Sequence, residues 1–283
     1  MTGTSSLLAT VGVPVLHAKI DTTIFLWAFG VLASLSLAVA ASISVRARDP
    51  LALVACCGAL ICSLNEPIYD YLGKIVYAAN STTAYTAFGR HIPLFLVLGY
   101  VPWVGLLSFL VSRMMARGIA RQRLYALALV SFLSVALVEA SGNLTHGWTY
   151  YGQAPLKYIG VAPQMAPVPI LCGMLLYVLG TRLRGAWRLS LVFVPTVALP
   201  AVYAAAGWPM YVALYSNVPK AIQYLAGLLT LGLCAAIVVC AVAAAEHWRA
   251  SEAITLPPPA TGTELESDES HDRERGKRQT VLS

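Results

Sequence analysis

Four acidic residues stand out because they are the only ones between residues 22 and 245, a part of the chain made mostly of long apolar runs: Asp49, Glu66, Asp70 and Glu139. A carboxylate in such surroundings is costly, which marks it as a candidate functional group. Asp49 directly follows Arg48, and a solvated charge at the start of a helix explains it. We therefore expect Glu66, Glu139 and Asp70 to be the catalytic residues.

The residues around Glu66 have a spacing that favours acid–base chemistry. Ser63, Glu66 and Asp70 stand at i, i+3 and i+7, so one helix face carries a hydroxyl and two acids. Two carboxyls so close resist ionising together, and we expect one of them to stay protonated near neutral pH. Pro67 leaves the carbonyl of Ser63 without its helical N–H donor, which predicts a kink and an extra hydrogen-bond acceptor.

The two glutamates are predicted to share one depth in neighbouring helices. Glu66 lies 16 residues after Pro50, and Glu139 lies 16 residues after Arg123. Each acid should therefore stand about 24 Å along its helix from the same boundary. This places both carboxyls near the same end of the helices.

Polar residues near the acids complete the candidate site. Asn143 and, if the helix persists past Gly142, His146 follow Glu139 at i+4 and i+7, forming a second polar stripe. The connections 70–92 and 142–163 add basic and aromatic residues, although such aromatics could equally form an interfacial belt. The expected substrate-binding residues are Asn65, Arg90, His91, Asn143, His146 and Tyr151.

Opposed carboxylic acids in an apolar, aromatic-walled pocket suit one kind of chemistry. They can protonate an apolar substrate and stabilise the cation that follows, by general acid catalysis and cation–π contact. Cyclisation, isomerisation or dehydration of a lipid-soluble isoprenoid or polyketide-like molecule fits this pattern. It needs no cofactor and no metal. A metal site of His91, His146, Glu66 and Glu139 is conceivable, but no two histidines show a helical ligand spacing.

Other classes of function remain open. Arg90, Lys157 or tyrosine hydroxyls could hold Glu66 and Glu139 only to lock helices together. A proton-coupled carrier would titrate the same acids, but it needs a polar path through the bilayer, and the cytoplasmic halves of the predicted helices are almost purely apolar. A non-catalytic assembly protein is a further alternative. A retinal photoreceptor is excluded because residues 221–246 contain no lysine for a Schiff base.

The elements that must position these residues are membrane-spanning helices. With 58% hydrophobic and 11% charged residues, the chain cannot cover a water-exposed surface. Continuous apolar runs of the length of a bilayer crossing favour helices over barrel strands. The predicted fold is all-α, a polytopic membrane bundle of about seven transmembrane helices over residues 22–45, 50–69, 93–115, 123–141, 164–183, 187–207 and 221–246.

Charge predicts the orientation of this bundle. The connections on one side hold ten arginines and lysines, whereas those on the other hold five. The positive-inside rule then places the chain in the cell membrane with its N-terminus outside and its C-terminus in the cytoplasm. We predict a short extracytoplasmic segment over 1–21, a transmembrane domain over 22–249 and a disordered tail over 250–283. The net charge of +6 is a topology signal, so the expected partners are membrane lipid and a hydrophobic small molecule, with no nucleic acid.

Three segments resemble a known group of proteins. Residues 64–70 (LNEPIYD), 88–93 (FGRHIP) and 150–152 (YYG) are similar to those of actinobacterial multi-spanning proteins of the spirocyclase AveC-like type. The carboxylate pairing is also similar in outline to the integral-membrane terpene cyclases of meroterpenoid pathways, seven-helix enzymes that protonate an epoxide or alkene. The resemblance implies secondary-metabolite biosynthesis, with Glu66 and Glu139 as the acid and its counterpart and Asp70, Arg90 and His91 tuning them.

Overall fold

The computed structural model describes residues 13–152 and 154–255. It contains seven helices long and apolar enough to cross a membrane, as predicted: α1 Thr23–Ala47, α2 Leu51–Gly73, α3 Leu94–Ala116, α4 Arg121–Thr145, α5 Ala162–Arg182, α6 Gly185–Tyr215 and α7 Lys220–Thr255. The chain up to Glu246 forms one compact unit, and a second unit begins at His247. Helix α7 continues into the segment predicted as a tail, whose remainder, 256–283, lies outside the described residues, as does most of the predicted segment 1–21.

Four short strands lie in the two long connections. Strand β1 (Ile75–Tyr77) pairs antiparallel with β4 (Trp148–Tyr150), and β2 (Thr83–Ala87) pairs antiparallel with β3 (Arg90–Pro93). We call the end of the bundle that carries them the ribbon end. The opposite end, with the connections 48–50, 117–120 and 183–184, is the arginine end. The β1–β4 pair ties the α2–α3 connection to the α4–α5 connection.

The half of the bundle nearest the arginine end is an apolar core. Helices approach closely there because glycines face neighbouring backbone: a Cβ added at Gly105 of α3 would lie 2.8 Å from the Cα of Cys56 in α2. Asp49 and Arg188 form an ion pair of 3.0 Å at this end, which connects the start of α2 to α6. The buried apolar side chains of this core include Ala40, Ala52, Val54, Ala55, Phe109, Cys172, Leu176, Leu191 and Ala198.

Helix α2 is irregular where the sequence predicts a kink. It narrows to a 3-10 turn over Ser63–Asn65 and then resumes as an α-helix over Glu66–Gly73. Pro67 has no N–H to give to the carbonyl of Ser63. The Tyr85 hydroxyl donates to that carbonyl instead, at 2.6 Å, so the predicted extra acceptor is used within the fold.

Proline also interrupts two of the helices beside the acids. Helix α3 widens to a π-type turn over Val101–Leu106, which includes Pro102, and such turns are frequent at functional sites. Helix α5 consists of a short segment, Ala162–Met165, followed by Val168–Arg182. Both irregular stretches adjoin residues of the cavity described below.

Candidate active site

A cavity of about 90 Å³ lies inside the bundle near the ribbon end. Its walls are mostly aromatic and aliphatic, and among the described residues that line it only Glu66 and Glu139 are acidic. The two glutamates come from α2 and α4, and each is 7% exposed. The other lining residues are Phe29, Ile75, Tyr77, Phe95, Leu96, Gly99, Tyr100, Trp103, Val135, Val138, Trp148, Tyr150, Val161, Met165 and Tyr203.

Both carboxylate oxygens of Glu66 accept hydrogen bonds from tyrosines. Tyr77 of β1 donates to Oε1 at 2.9 Å, and Tyr100 of α3 donates to Oε2. Two hydrogen bonds that reach the two oxygens of one carboxyl group restrict its rotation. Glu66 is therefore held in one orientation, with its carboxylate facing the cavity between two phenols.

Glu139 is bound in a different, one-sided way. The indole N–H of Trp148 and the hydroxyl of Tyr150 both donate to Oε2, each at 2.9 Å. The backbone N–H of Val161 donates to the Tyr150 hydroxyl at 3.1 Å, which fixes the direction of that phenol. Among the described residues none donates to Oε1 of Glu139. One oxygen of this carboxyl is thus available to carry a proton or to meet a ligand.

The β1–β4 pair forms a roof over the cavity. Side chains alternate along a strand, so Ile75, Tyr77, Trp148 and Tyr150 all point inward. Burial raises the pKa of the Tyr77 hydroxyl well above its ordinary value, and the neighbouring acids Asp70 and Glu66 raise it further. Burial and Glu139 do the same to the pKa of Tyr150. Both phenols are consequently neutral hydrogen-bond donors.

Aromatic rings surround the carboxyls. The Phe95 ring lies 5.7 Å from Trp148 and 6.3 Å from Tyr77, measured between centroids. Phe29 of α1 lies 6.3 Å from Trp103 of α3 on the cavity wall farther from the roof. A cation bound within the cavity would therefore lie close to several aromatic rings, which attract positive charge through their faces.

A second, more polar pocket of about 380 Å³ lies outside the roof. Asp70 of α2 and Arg90 and His91 of β3 line it. Arg90 donates to the carbonyl of Ile75 at 3.0 Å and to the hydroxyl of Tyr151 at 2.5 Å. We call this the outer pocket. Three residues that the sequence linked to Glu66 therefore lie together, but not in the cavity that Glu66 itself lines.

The remaining predicted residues support the site from outside both cavities. Asn143 donates to the backbone carbonyl of Glu139 at 2.9 Å and accepts from the Thr149 hydroxyl at 3.2 Å, so it joins α4 to β4. Tyr151 positions Arg90. Helix α4 ends at Thr145, and His146 takes a left-handed conformation, with φ of 58°, that turns it off the predicted stripe. Asn65 adjoins Glu66 in the 3-10 turn.

The aromatic hydrogen-bond donors to Glu66 and Glu139 were not among the site residues predicted from the sequence. Tyr77, Trp148 and Tyr150 lie where an interfacial belt was the simpler interpretation, and Tyr100 lies within an apolar run. The alternation of Ile75 with Tyr77 and of Trp148 with Tyr150 is the strand signal that could have identified three of them. Among the described residues, no three His, Cys, Asp or Glu side chains lie close enough together to hold a metal ion.

No protein-family model, curated protein sequence or solved structure matches the chain. The resemblance to spirocyclase AveC-like proteins therefore stays a prediction. The chemistry of the site has to be inferred from its own geometry.

Proposed function

We propose that the chain is an integral membrane enzyme that protonates a lipid-soluble substrate in the cavity and converts the resulting cation into a cyclised, isomerised or dehydrated product. The observation that carries this proposal is that Glu66 and Glu139, from two different helices, line one aromatic-walled cavity. General acid catalysis needs a proton donor within reach of the reacting atom and a second group to take a proton back. Two carboxyls in one small space meet that need.

The hydrogen bonds suggest which acid does which step. Glu139, with two donors on Oε2 and none on Oε1, is suited to carry the proton on Oε1 and to give it to an epoxide oxygen, a hydroxyl or an alkene carbon. The substrate carbon then becomes electron-deficient and is attacked by an internal alkene or hydroxyl. Glu66, whose two oxygens accept from phenols, is suited to remain a carboxylate and to remove a proton from the product cation. One turnover thus leaves Glu139 as a carboxylate and Glu66 protonated, and the proton has to return from Glu66 to Glu139 before the next turnover.

The walls favour a cationic intermediate. Phe95, Trp148 and Tyr77 offer ring faces beside the carboxyls, and attraction to a desolvated cation contributes about 2 kcal/mol per favourable ring. The cavity of about 90 Å³ is much smaller than the roughly 300–1,000 Å³ of a typical drug-sized site. A long isoprenoid would therefore place only its reacting end there, with its tail along the apolar wall of Phe29, Trp103 and Val135.

The apolar helices and the arginine asymmetry support a place in the cell membrane, with the ribbon end outside and the arginine end in the cytoplasm. A substrate dissolved in the bilayer would then meet the cavity near the outer leaflet. Reagents that do not cross membranes should modify a cysteine introduced at the exposed residue Phe88 in intact cells, and should not modify one introduced at Arg117.

The carrier alternative has less support. A carrier needs polar groups along the whole path, whereas the half of the bundle nearest the arginine end is packed with small apolar side chains. Among the described residues, the buried polar groups of that half are hydroxyls, including Ser36, Ser44, Ser108 and Ser112. Over the described part of the chain, the Asp, Glu, Lys and Arg side chains are confined to the ribbon end and to the surface of the arginine end.

The test uses the full chain in native-like lipid discs. Candidate isoprenoid and polyketide alkenes, epoxides and alcohols are incubated with the wild type, Glu66→Gln and Glu139→Gln, and the products are analysed by mass spectrometry. We expect conversion by the wild type and a loss of about 10²- to 10⁴-fold in each variant, the usual contribution of a general acid or base. Asp49→Asn is the matched control, because it removes a carboxyl at the arginine end.

Heavy water makes the test specific. Protonation of an alkene carbon by a site in exchange with solvent puts one deuterium into the product, which mass spectrometry detects. Conversion that survives both glutamine substitutions would remove the proposed site. Transport of an unchanged solute into sealed vesicles, with no product, would establish the carrier instead.

A further inference from the structure

The outer pocket and the cavity are separated by a single layer of side chains. Tyr77 and Ile75 line both of them, Glu66 lines only the cavity, and Asp70 lines only the outer pocket. Glu66 and Asp70 stand at i and i+4 on α2, a spacing that brings the Cβ atoms to about 5–6 Å in a helix. The Asp70 carboxyl therefore lies beside both Glu66 and the Tyr77 hydroxyl, at the boundary between the outer pocket and the cavity.

Asp70 is a fully buried acid with little hydrogen bonding. It is 0% exposed, and neither of its carboxylate oxygens has a hydrogen-bond partner among the described residues. Arg90, the nearest cation, is directed to the Ile75 carbonyl and the Tyr151 hydroxyl instead of forming an ion pair with it. Burying a carboxyl without hydrogen-bond partners is unfavourable. Packing alone gives no reason for an acid at this position.

Other polar residues of the ribbon end show what a structural role looks like in this fold. Asn143 and Tyr85 each hold elements together through hydrogen bonds that the structure shows, at 2.9 Å and 2.6 Å. Asp70 makes none, yet it faces a polar pocket on one side and the Tyr77 hydroxyl on the other. Its position suits a group that gains and loses a proton.

We infer that Asp70 exchanges protons between the outer pocket and Glu66, with the Tyr77 hydroxyl as the bridge, so that the acid pair is kept in proton exchange with the ribbon end. The catalytic role of this exchange rests on the proposed function, whereas the exchange itself rests only on the positions of the three residues. In the inward direction, a proton held within the outer pocket binds a carboxylate oxygen of Asp70. The proton of Asp70 then moves to the Tyr77 oxygen while the Tyr77 hydroxyl proton moves to Oε1 of Glu66. Tyr77 stays neutral throughout, and Asp70 is again a carboxylate.

The surroundings of Asp70 fit this exchange. The titratable and charged groups that face it are Glu66 on its own helix, Tyr77 on β1, Tyr85 on β2, and Arg90 and His91 on β3. His91 has one ring nitrogen 3.1 Å from the Thr83 hydroxyl, whereas its other nitrogen, Nε2, is buried without a partner. It is thus positioned to pass protons within the outer pocket.

The experiment follows one carboxyl proton directly and needs no substrate. The full chain in lipid discs is kept at a pH acid enough for the buried carboxyls to hold protons, then mixed rapidly with heavy water. Infrared spectra record the shift of the protonated-carboxyl band, and subtraction of Glu66→Gln spectra isolates the band of Glu66. The rate of that shift is measured in the wild type, Asp70→Asn, Asp70→Glu and Asp49→Asn.

We expect Asp70→Asn to slow deuterium exchange at Glu66 by at least about tenfold, since an amide cannot relay a proton in this way. Asp70→Glu should recover much of the rate, and Asp49→Asn should leave it unchanged. An unchanged rate in Asp70→Asn, in a variant whose thermal unfolding matches the wild type, would overturn the inference. Slow exchange together with no conversion of any substrate would instead keep the relay and remove the proposed enzyme.

Discussion

Tyr77 and Trp148 stand directly opposite each other in the β1–β4 pair, and each donates a hydrogen bond to a different buried acid. Tyr77 binds Glu66, and Trp148 binds Glu139, both at 2.9 Å. The register of two three-residue strands therefore fixes both carboxyls at once. A shift of one residue would turn these side chains to the opposite face of the strands and leave both acids without these donors.

The contact between α4 and the roof depends on Gly142. A methyl group there would overlap the Trp148 ring. Gly142→Ala should push the indole away from Glu139 and lower the free energy of unfolding by about 1–3 kcal/mol, the usual cost of overpacking. Gly232→Ala is the control, because nothing lies within 4 Å of its added Cβ. Thermal unfolding in lipid discs compares the two, and equal melting temperatures would contradict the packing described.

Removing one donor to Glu139 should weaken the site without dismantling it. Trp148→Phe keeps an aromatic ring but loses the indole N–H, leaving Tyr150 as the only described donor to Oε2. We expect a loss of about 1–3 kcal/mol in the free energy of unfolding, since the hydrogen bond is buried. Trp187→Phe changes an exposed indole and should have no such effect. A stability loss of equal size in both would mean that the hydrogen bond to Glu139 contributes nothing.

The carbonyl that Pro67 leaves unpaired provides a test of the α2 kink. Tyr85→Phe removes the hydroxyl that donates to Ser63 at 2.6 Å. The cost should be about 1–3 kcal/mol, because the acceptor loses its partner in a partly buried place. Tyr158→Phe removes an exposed hydroxyl and serves as the matched control. If Pro67→Ala is added, the helical N–H returns to Ser63, and Tyr85→Phe should then cost less.

Alkaline pH should destabilise the fold through the roof tyrosines. The pKa values of Tyr77 and Tyr150 in the folded chain lie above the ordinary value, which is about 10 for an unfolded chain. Below about pH 10 both states keep these phenol protons; above it the unfolded chain releases protons that the folded chain retains, so the free energy of unfolding falls.

The slope of this decline can be assigned to the two residues. Each such tyrosine contributes up to about 1.4 kcal/mol per pH unit above pH 10. Tyr77→Phe and Tyr150→Phe should each reduce the slope of the free energy of unfolding against pH by the amount that one proton contributes. Unfolding at a series of pH values measures this slope. If the free energy of unfolding declines as steeply in both variants as in the wild type, these phenols ionise within the folded protein.

The helices were predictable because apolar length alone specifies them, and the acids were found because a carboxylate in an apolar run is rare. The depth estimate for Glu66 and Glu139 came from helical rise. The sequence could not show that Asp70 lines the outer pocket and not the cavity, because helical spacing gives the face of α2 and not the side chains that close over it.

The roof itself was missed for a physical reason. Its strands have three residues each, and they pair between connections separated by more than 70 positions, from Ile75 to Tyr150. Pairing at that distance leaves only a short alternation in the local sequence. His146 was misplaced because the left-handed residue that ends α4 is not glycine, which removes the usual signal for a helix end.

On the side of the ribbon end, the cavity is covered by the β1–β4 strands and not by a helix. Parting β4 from β1 would lift Trp148 and Tyr150 off Glu139 in the same movement that separates Tyr77 from its opposite strand. Admission of a molecule and release of the acids would then be one event. It would require only the breaking of the few backbone hydrogen bonds between β1 and β4. No long helix would have to move for the cavity to open.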